Sequence, residues 1–139
     1  MKNLQKAHTF SFTITLLFAA AFCAMLTISA LDSFLLLVKL LIFSLIPFLL
    51  VTLMRHLIGA GRPRNTKKVS PSFPSRHTYS AFYIATLFFF FSSVISYILL
   101  LFAITLATLR VLLGHHYPRD VVAGAFLGVA AAIISMISF

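Results

Sequence analysis

Three stretches of this chain, Phe10–Leu31, Thr78–Leu109 and Val121–Phe139, carry no charged residue, and a fourth, Ser33–Met54, carries only Lys39. About 20 apolar residues in a helix cross the roughly 30 Å of bilayer hydrocarbon, where backbone polar groups must be satisfied within the segment. The rest of the composition agrees: 61% of residues are hydrophobic, 9% are charged and the mean hydropathy is +1.08. A soluble domain carries roughly a quarter charged residues. The expected fold class is therefore an all-α integral membrane bundle. Its 139 residues suffice for one compact domain and no second.

Lys2 and Lys6 precede the first run, which is also the charge layout of a secretory signal. The run is longer than a signal's apolar region, and Phe22 before Cys23 spoils a lipoprotein cleavage site, so a retained helix is expected. Cys23 is the only cysteine, so there is no internal disulfide framework, and a packed, inert thiol is expected. Asp32 marks a tight turn into the second run, where Lys39 is expected to snorkel toward the headgroups and Pro47 to kink the helix. Segment 55–76 contains Gly59, Gly61, Pro63, Pro71 and Pro74 and reads as a loop. The charge-free run 78–109 is either one long tilted helix or a hairpin turning near Ser92, Ser93 and Ser96, and its length favours the hairpin. In the last run Gly124 and Gly128 have G-x-x-x-G spacing, which permits close helix approach, either inside the bundle or in a homodimer.

The net charge of +9 would suit nucleic acid if the basic residues formed a stripe with interleaved aromatics. They gather instead in the polar gaps between apolar runs, which argues against nucleic acid and for an anionic headgroup or phosphate. Three clusters stand out: Arg55 with Arg62-Pro63, then Pro74-Ser75-Arg76-His77, then Arg110 with His116 and Asp120. Arginine forks suit phosphate oxygens and are never neutral. Pro74-Ser75 reads as a helix start with Ser75 as N-cap, whose free amides make an anion site with His77 in the first turn. Asp120, four residues after His116, can fix one ring nitrogen and leave the other to attack. Pro118 suits the first position of that helix. The only acidic residues are Asp32 and Asp120, which makes a metal site a poor reading of the histidines.

This pattern resembles the type 2 phosphatidic acid phosphatase superfamily, which shares its site with vanadate-dependent haloperoxidases. The family motifs are, in outline, K-x6-RP, PSGH and SR-x5-H-x3-D. Here they read Arg55-x6-Arg62-Pro63, Pro74-Ser75-Arg76-His77 and Leu109-Arg110-x5-His116-x3-Asp120. Arg55 replaces lysine, Arg76 replaces glycine and Leu109 replaces serine. The resemblance implies that His77 and His116 share one membrane face, so that the run between them crosses twice. About five transmembrane helices follow, at 10–31, 33–54, 77–93, 96–113 and 119–138, one fewer than in many relatives. It also implies His116 rather than His115 as nucleophile, with His77 as proton donor and Asp120 as orienter. It further implies that Arg55, Arg62, Arg110, Ser75 and Arg76 bind phosphate and that Pro63 is structural.

The function so implied is hydrolysis of a membrane lipid phosphate or diphosphate through a phosphohistidine, without cofactor or metal. The alternative is an inactive lipid-phosphate binder. A multi-pass plasma membrane protein is expected. Sidedness stays open: of the eleven basic residues all but Lys39 fall on the site face, which the positive-inside rule places in the cytoplasm. Many bacterial relatives act on the outer face, and arginines held by chemistry are poor topology reporters. Lys2, Lys6, Lys67 and Lys68 are the cleaner witnesses, and they favour the cytoplasm.

Overall fold

A computed structural model describes residues 2–63 and 70–138. Lys67 and Lys68 lie outside the described residues. The fold is an all-α membrane bundle. Its helices are α1 (Lys2–Asp32), α2 (Phe34–Ile58), α3 (Arg76–Leu87), α4 (Ser93–Leu112) and α5 (Pro118–Ser138), with a short 3₁₀ turn at Phe88–Phe90 after α3. All but α3 are long and apolar enough to cross a membrane. At about 1.5 Å per residue the 12 residues of α3 span only about 18 Å. The short helix can stay inside the bilayer because the others surround it.

The polarity is inverted relative to a soluble protein. Leu31, Phe34, Leu112, Phe126 and Ile137 are all more than 70% exposed, as suits a lipid-facing surface. The buried set includes Ser29, Ser72, Ser75, Thr78, Ser96, Asp120 and Ser135, each fully inaccessible. Cys23 is exposed on α1 rather than packed.

The hairpin reading of 78–109 holds, and its turn lies where the serines predicted. The Ser92 side chain caps α4 by accepting from the Ile95 amide at 3.5 Å, and Ser96 Oγ donates to the Ala85 carbonyl at 2.6 Å across the turn. Helix α2 runs on past Met54 to Ile58, through Pro47, and closes at Gly59, whose φ of 61° is left-handed. Arg55 therefore sits in the last turn of a helix rather than in a loop. Lys39 does not simply reach for headgroups: its Nζ donates to the Ser138 carbonyl at 3.3 Å, at the orphaned C-terminal end of α5.

Helix α3 packs chiefly on α5, and the two glycines of α5 make that possible. A Cβ at Gly124 would lie 2.6 Å from the Ser75 carbonyl oxygen, and one at Gly128 would lie 2.5 Å from that of Tyr79. The G-x-x-x-G seam is thus filled by α3 of the same chain, which is the first of the two readings of that spacing. A tie deeper in the bundle adds to it. Tyr83 Oη on α3 donates to the Phe43 carbonyl at 3.2 Å and lies 3.1 Å and 3.2 Å from the hydroxyls of Ser44 and Ser135.

Because the obstructing atoms at Gly128 are backbone, Gly128→Ala should lower thermal stability in detergent by roughly 1–3 kcal/mol. Gly61→Ala, whose Cβ would meet nothing within 4 Å, should leave it unchanged. Equal melting temperatures for the two variants would contradict the seam.

Candidate active site

The three sequence clusters converge at one end of the bundle. Arg55 arrives on the last turn of α2, Arg110 on the last turn of α4, and Asp120 on the first turn of α5. The second cluster is held to the third through the backbone, where the Ser75 amide donates to the Asp120 carbonyl at 3.0 Å. This bond, the Gly124 contact beneath it and the Pro118 start of α5 set the register between the motifs.

The arginines are held by carbonyls rather than carboxylates. Arg62 Nε and Nη1 donate to the carbonyls of Ser70 and His115 at 2.8 and 2.7 Å, and Nη2 reaches Ser70 Oγ at 3.2 Å. Arg55 is 3% exposed and makes longer bonds, 3.4 Å to the Pro74 carbonyl and 3.5 Å to Ser70 Oγ. Arg110 is 8% exposed, and its Nε has no hydrogen-bond partner among the described residues. The charges of Arg62, Arg76 and Asp120 act on Arg55, and that of Arg62 acts on Arg110, so the four guanidinium groups share one electrostatic neighbourhood. Burial lowers the pKa of Arg62, opposed by the Asp120 carboxylate and reinforced by Arg76. Pro63 follows Arg62 directly in the loop. Asp120 is the one carboxylate near these four cations, and its Oδ1 also lies 3.7 Å from the exposed Arg119 Nε.

His116 is buried in the loop between α4 and α5. Its pKa is pushed down to about 3, first by burial and then by Arg62, Arg55 and Arg110, against a raising hydrogen bond with the Ser72 backbone. The ring is therefore a neutral base at ordinary pH. Asp120 Oδ2 stands 3.6 Å from His116 Nδ1, facing it but beyond hydrogen-bond length. That oxygen accepts the Tyr117 amide at 2.9 Å, in the manner of a capping box, while Oδ1 is buried without a hydrogen-bond partner among the described residues. Catalytic hydrogen bonds are often long until a ligand tightens them.

Ser75 is the N-cap residue of α3 as expected, but it makes no side-chain cap. Its hydroxyl lies 3.0 Å from that of Thr78 and its own amide is spent on Asp120. An anion at this helix start would meet the amides that follow Ser75 rather than Ser75 itself. Arg76 and His77 occupy the first turn of α3 and line a cavity of about 420 Å³ with Phe18, Phe22 and Leu106.

Sequence reasoning passes over Ser70 and Ser72 and considers His115 only to set it aside as nucleophile. Ser70 receives Arg55 and Arg62, the Ser72 backbone holds the His116 ring, and the His115 carbonyl anchors Arg62 while its ring meets that of His8 at 5.1 Å. The serine-rich segment between Arg62 and Ser75 was the available signal, since a loop packed among arginines must present acceptors.

Fold and site together define a multi-pass helical membrane protein with a cationic, histidine-bearing pocket at one face. The chain belongs to the PAP2 superfamily, which matches residues 12–139. It is similar to the crystal structure of a transmembrane PAP2-type phosphatidylglycerolphosphate phosphatase from Bacillus subtilis, with a TM-score of 0.72, 23% identity, and coverage of 92% of this chain and 74% of that one. It is also similar to LpxE of Aquifex aeolicus, with a TM-score of 0.49, 26% identity, and coverage of 96% and 94%. Among curated proteins it is 41% identical over 66 residues to the bacitracin transport permease protein BcrC of Bacillus licheniformis, a stretch covering 48% of this chain and 32% of that protein.

A folded-state pKa of about 3 against an ordinary 6.5 means that the fold resists protonation of His116. Its contribution to stability is complete above pH 6.5 and declines as pH falls toward 3. Histidine ring NMR in detergent should show one imidazole that stays neutral from pH 7 down to pH 4 and whose signal is lost in His116→Ala. Titration of every imidazole near pH 6.5 would contradict the geometry.

Proposed function

We propose that this protein is a lipid phosphate phosphatase that works through a phosphohistidine on His116 and needs no metal. The observation that carries this reading is the excess of buried guanidinium charge beside a neutral, buried imidazole. Arg55, Arg62 and Arg110 surround His116, and Asp120 is the one carboxylate among them. Such a pocket is stabilised by an incoming dianion, and arginine forks match its oxygens. Membership of the PAP2 superfamily supports the same reading.

In the proposed sequence, phosphate oxygens lie among Arg55, Arg62, Arg76, Arg110 and the first-turn amides that follow Ser75 in α3. As the Ser72 contact gives way, the ring proton of His116 exchanges through water from Nε2 to Nδ1, Asp120 closes on Nδ1–H, and the freed Nε2 attacks phosphorus. A P–N bond forms as the P–O bond to the lipid breaks, and protonated His77 gives its proton to the leaving oxygen. His77, now a base, takes a proton from water, which attacks phosphorus and releases phosphate and free His116. Asp120 stabilises the imidazolium that forms in the first step. The arginines supply the charge stabilisation that metals supply elsewhere. Lipid substrates with the phosphate at the interface fit a site at the helix ends, and a bacterial plasma membrane fits the relatives.

Phosphate release from phosphatidic acid, phosphatidylglycerophosphate and undecaprenyl diphosphate, measured on purified protein in detergent, tests the proposal. Release from at least one should persist in excess EDTA and be inhibited by vanadate. It should fall at least about 10³-fold in His116→Ala and roughly 10²–10³-fold in Arg110→Ala. Complete loss in EDTA would refute metal independence. The inactive-binder reading requires lipid phosphate binding with no release in the unaltered protein.

A further inference from the structure

One turn inside the membrane from the arginines lies a set of hydroxyls that the proposed chemistry does not use. Tyr79 on α3 is 2% exposed, and its Oη has no hydrogen-bond partner among the described residues. The same is true of Thr52 Oγ1 on α2, which is also buried at the atom. Thr52 precedes Arg55 by three residues on a helix running toward the site, and Ser80 follows His77 by three on a helix running away from it. Both offsets are about 4.5 Å along the axis, so these hydroxyls share one depth. The ring of Tyr79 meets that of Phe48 at 6.4 Å, which joins the two helices there. Orphaned buried hydroxyls are uncommon because each forfeits its hydration.

The space around them is shaped for a lipid. The cavity of Arg76 and His77 shares Phe22, Phe48, Ser80 and Ile84 with a second cavity of about 450 Å³ deeper in the bundle. Tyr79 lines the second cavity, and its outer wall includes Leu41, Ile42 and Leu45, each 44–57% exposed on the lipid-facing side of α2. A path thus runs from the cavity of Arg76 and His77, past Tyr79 and Ser80, to an apolar groove facing the bilayer.

Given the lipid phosphatase reading above, on which this inference rests, we propose that Tyr79 and Ser80 form a second binding subsite, which takes the ester carbonyls of a diacylglycerol phosphate. Such a lipid carries carbonyl acceptors a few bonds from phosphorus, followed by apolar chains, in the order in which the path offers cations, hydroxyls and an apolar groove. A polyprenyl diphosphate has no polar atom below its phosphates and would leave the hydroxyls unpartnered. A site built to hydrogen-bond a group discriminates against the analogue that lacks it.

The test compares phosphate release from dioleoyl phosphatidic acid, its dialkyl ether analogue and undecaprenyl diphosphate in matched detergent micelles. In the unaltered protein kcat/KM should favour the ester over the ether roughly three- to tenfold, the range expected for one or two neutral hydrogen bonds. Tyr79→Phe should bring that ratio toward one while leaving the melting temperature unchanged or higher, because the hydroxyl it removes has no partner in the ligand-free fold. A ratio of one in the unaltered protein, with phosphate still released, would overturn the subsite and leave the phosphatase reading standing. So would an undiminished ratio in Tyr79→Phe, or undecaprenyl diphosphate as the best substrate. No phosphate release at all, whether from these three lipids or from phosphatidylglycerophosphate, would overturn the phosphatase reading itself.

Discussion

Unbalanced positive charge at the edge of a membrane is the constraint on which the rest of this structure depends. Arg55 and Arg110 are 3% and 8% exposed, Arg62 and Arg76 lie in their field, and Asp120 is the single acid nearby. Guanidinium groups withdrawn from water are costly unless something compensates them. The fold meets part of that cost with carbonyls, those of Ser70, Pro74 and His115, and leaves Arg110 Nε without a hydrogen-bond partner. The remainder is available to an anionic ligand. Burial, reinforced by the same field, keeps His116 neutral, so the feature that would hold a phosphate also helps to prepare the base that would attack it.

Holding that cluster together is the task of a helix too short to cross the membrane. Helix α3 lies inside the bundle, and α5 approaches its backbone closely enough that only glycine fits at 124 and 128. The Ser75–Asp120 backbone bond is the outer end of the same seam. A shift of α3 on α5 would move His77 and Arg76 relative to His116 and Asp120, so the packing of two helices sets the geometry of the site. The tie of Tyr83 to Phe43, Ser44 and Ser135 extends that rigidity from α5 through α3 to α2.

Much of this is legible in the amino-acid sequence. Apolar run length gave the membrane bundle, and the serines at 92, 93 and 96 marked the hairpin turn. Residues that are charged inside apolar surroundings, Arg110 above all, pointed to the site, and the three motifs ordered it. What escaped did so for identifiable reasons. At Arg55 polarity suggests a loop where the helix runs on to a glycine cap. Ser70, Ser72 and the His115 carbonyl act through backbone or a single hydroxyl, which sequence patterning does not weight. The partner of the glycine seam was open because G-x-x-x-G spacing permits close approach without naming what approaches. Lys39 reads as a headgroup-seeking lysine, and its bond to the carbonyl at the end of α5 comes from tertiary packing that apolar patterning does not show.

The central claim is that His116 becomes covalently phosphorylated, and it can be tested by trapping. Purified protein mixed with a ³²P-labelled lipid phosphate and quenched in alkali within the first turnover should carry label that survives base, is released by acid and maps to His116. Turnover of the labelled lipid without any such adduct, or with the label on another residue, would contradict the account.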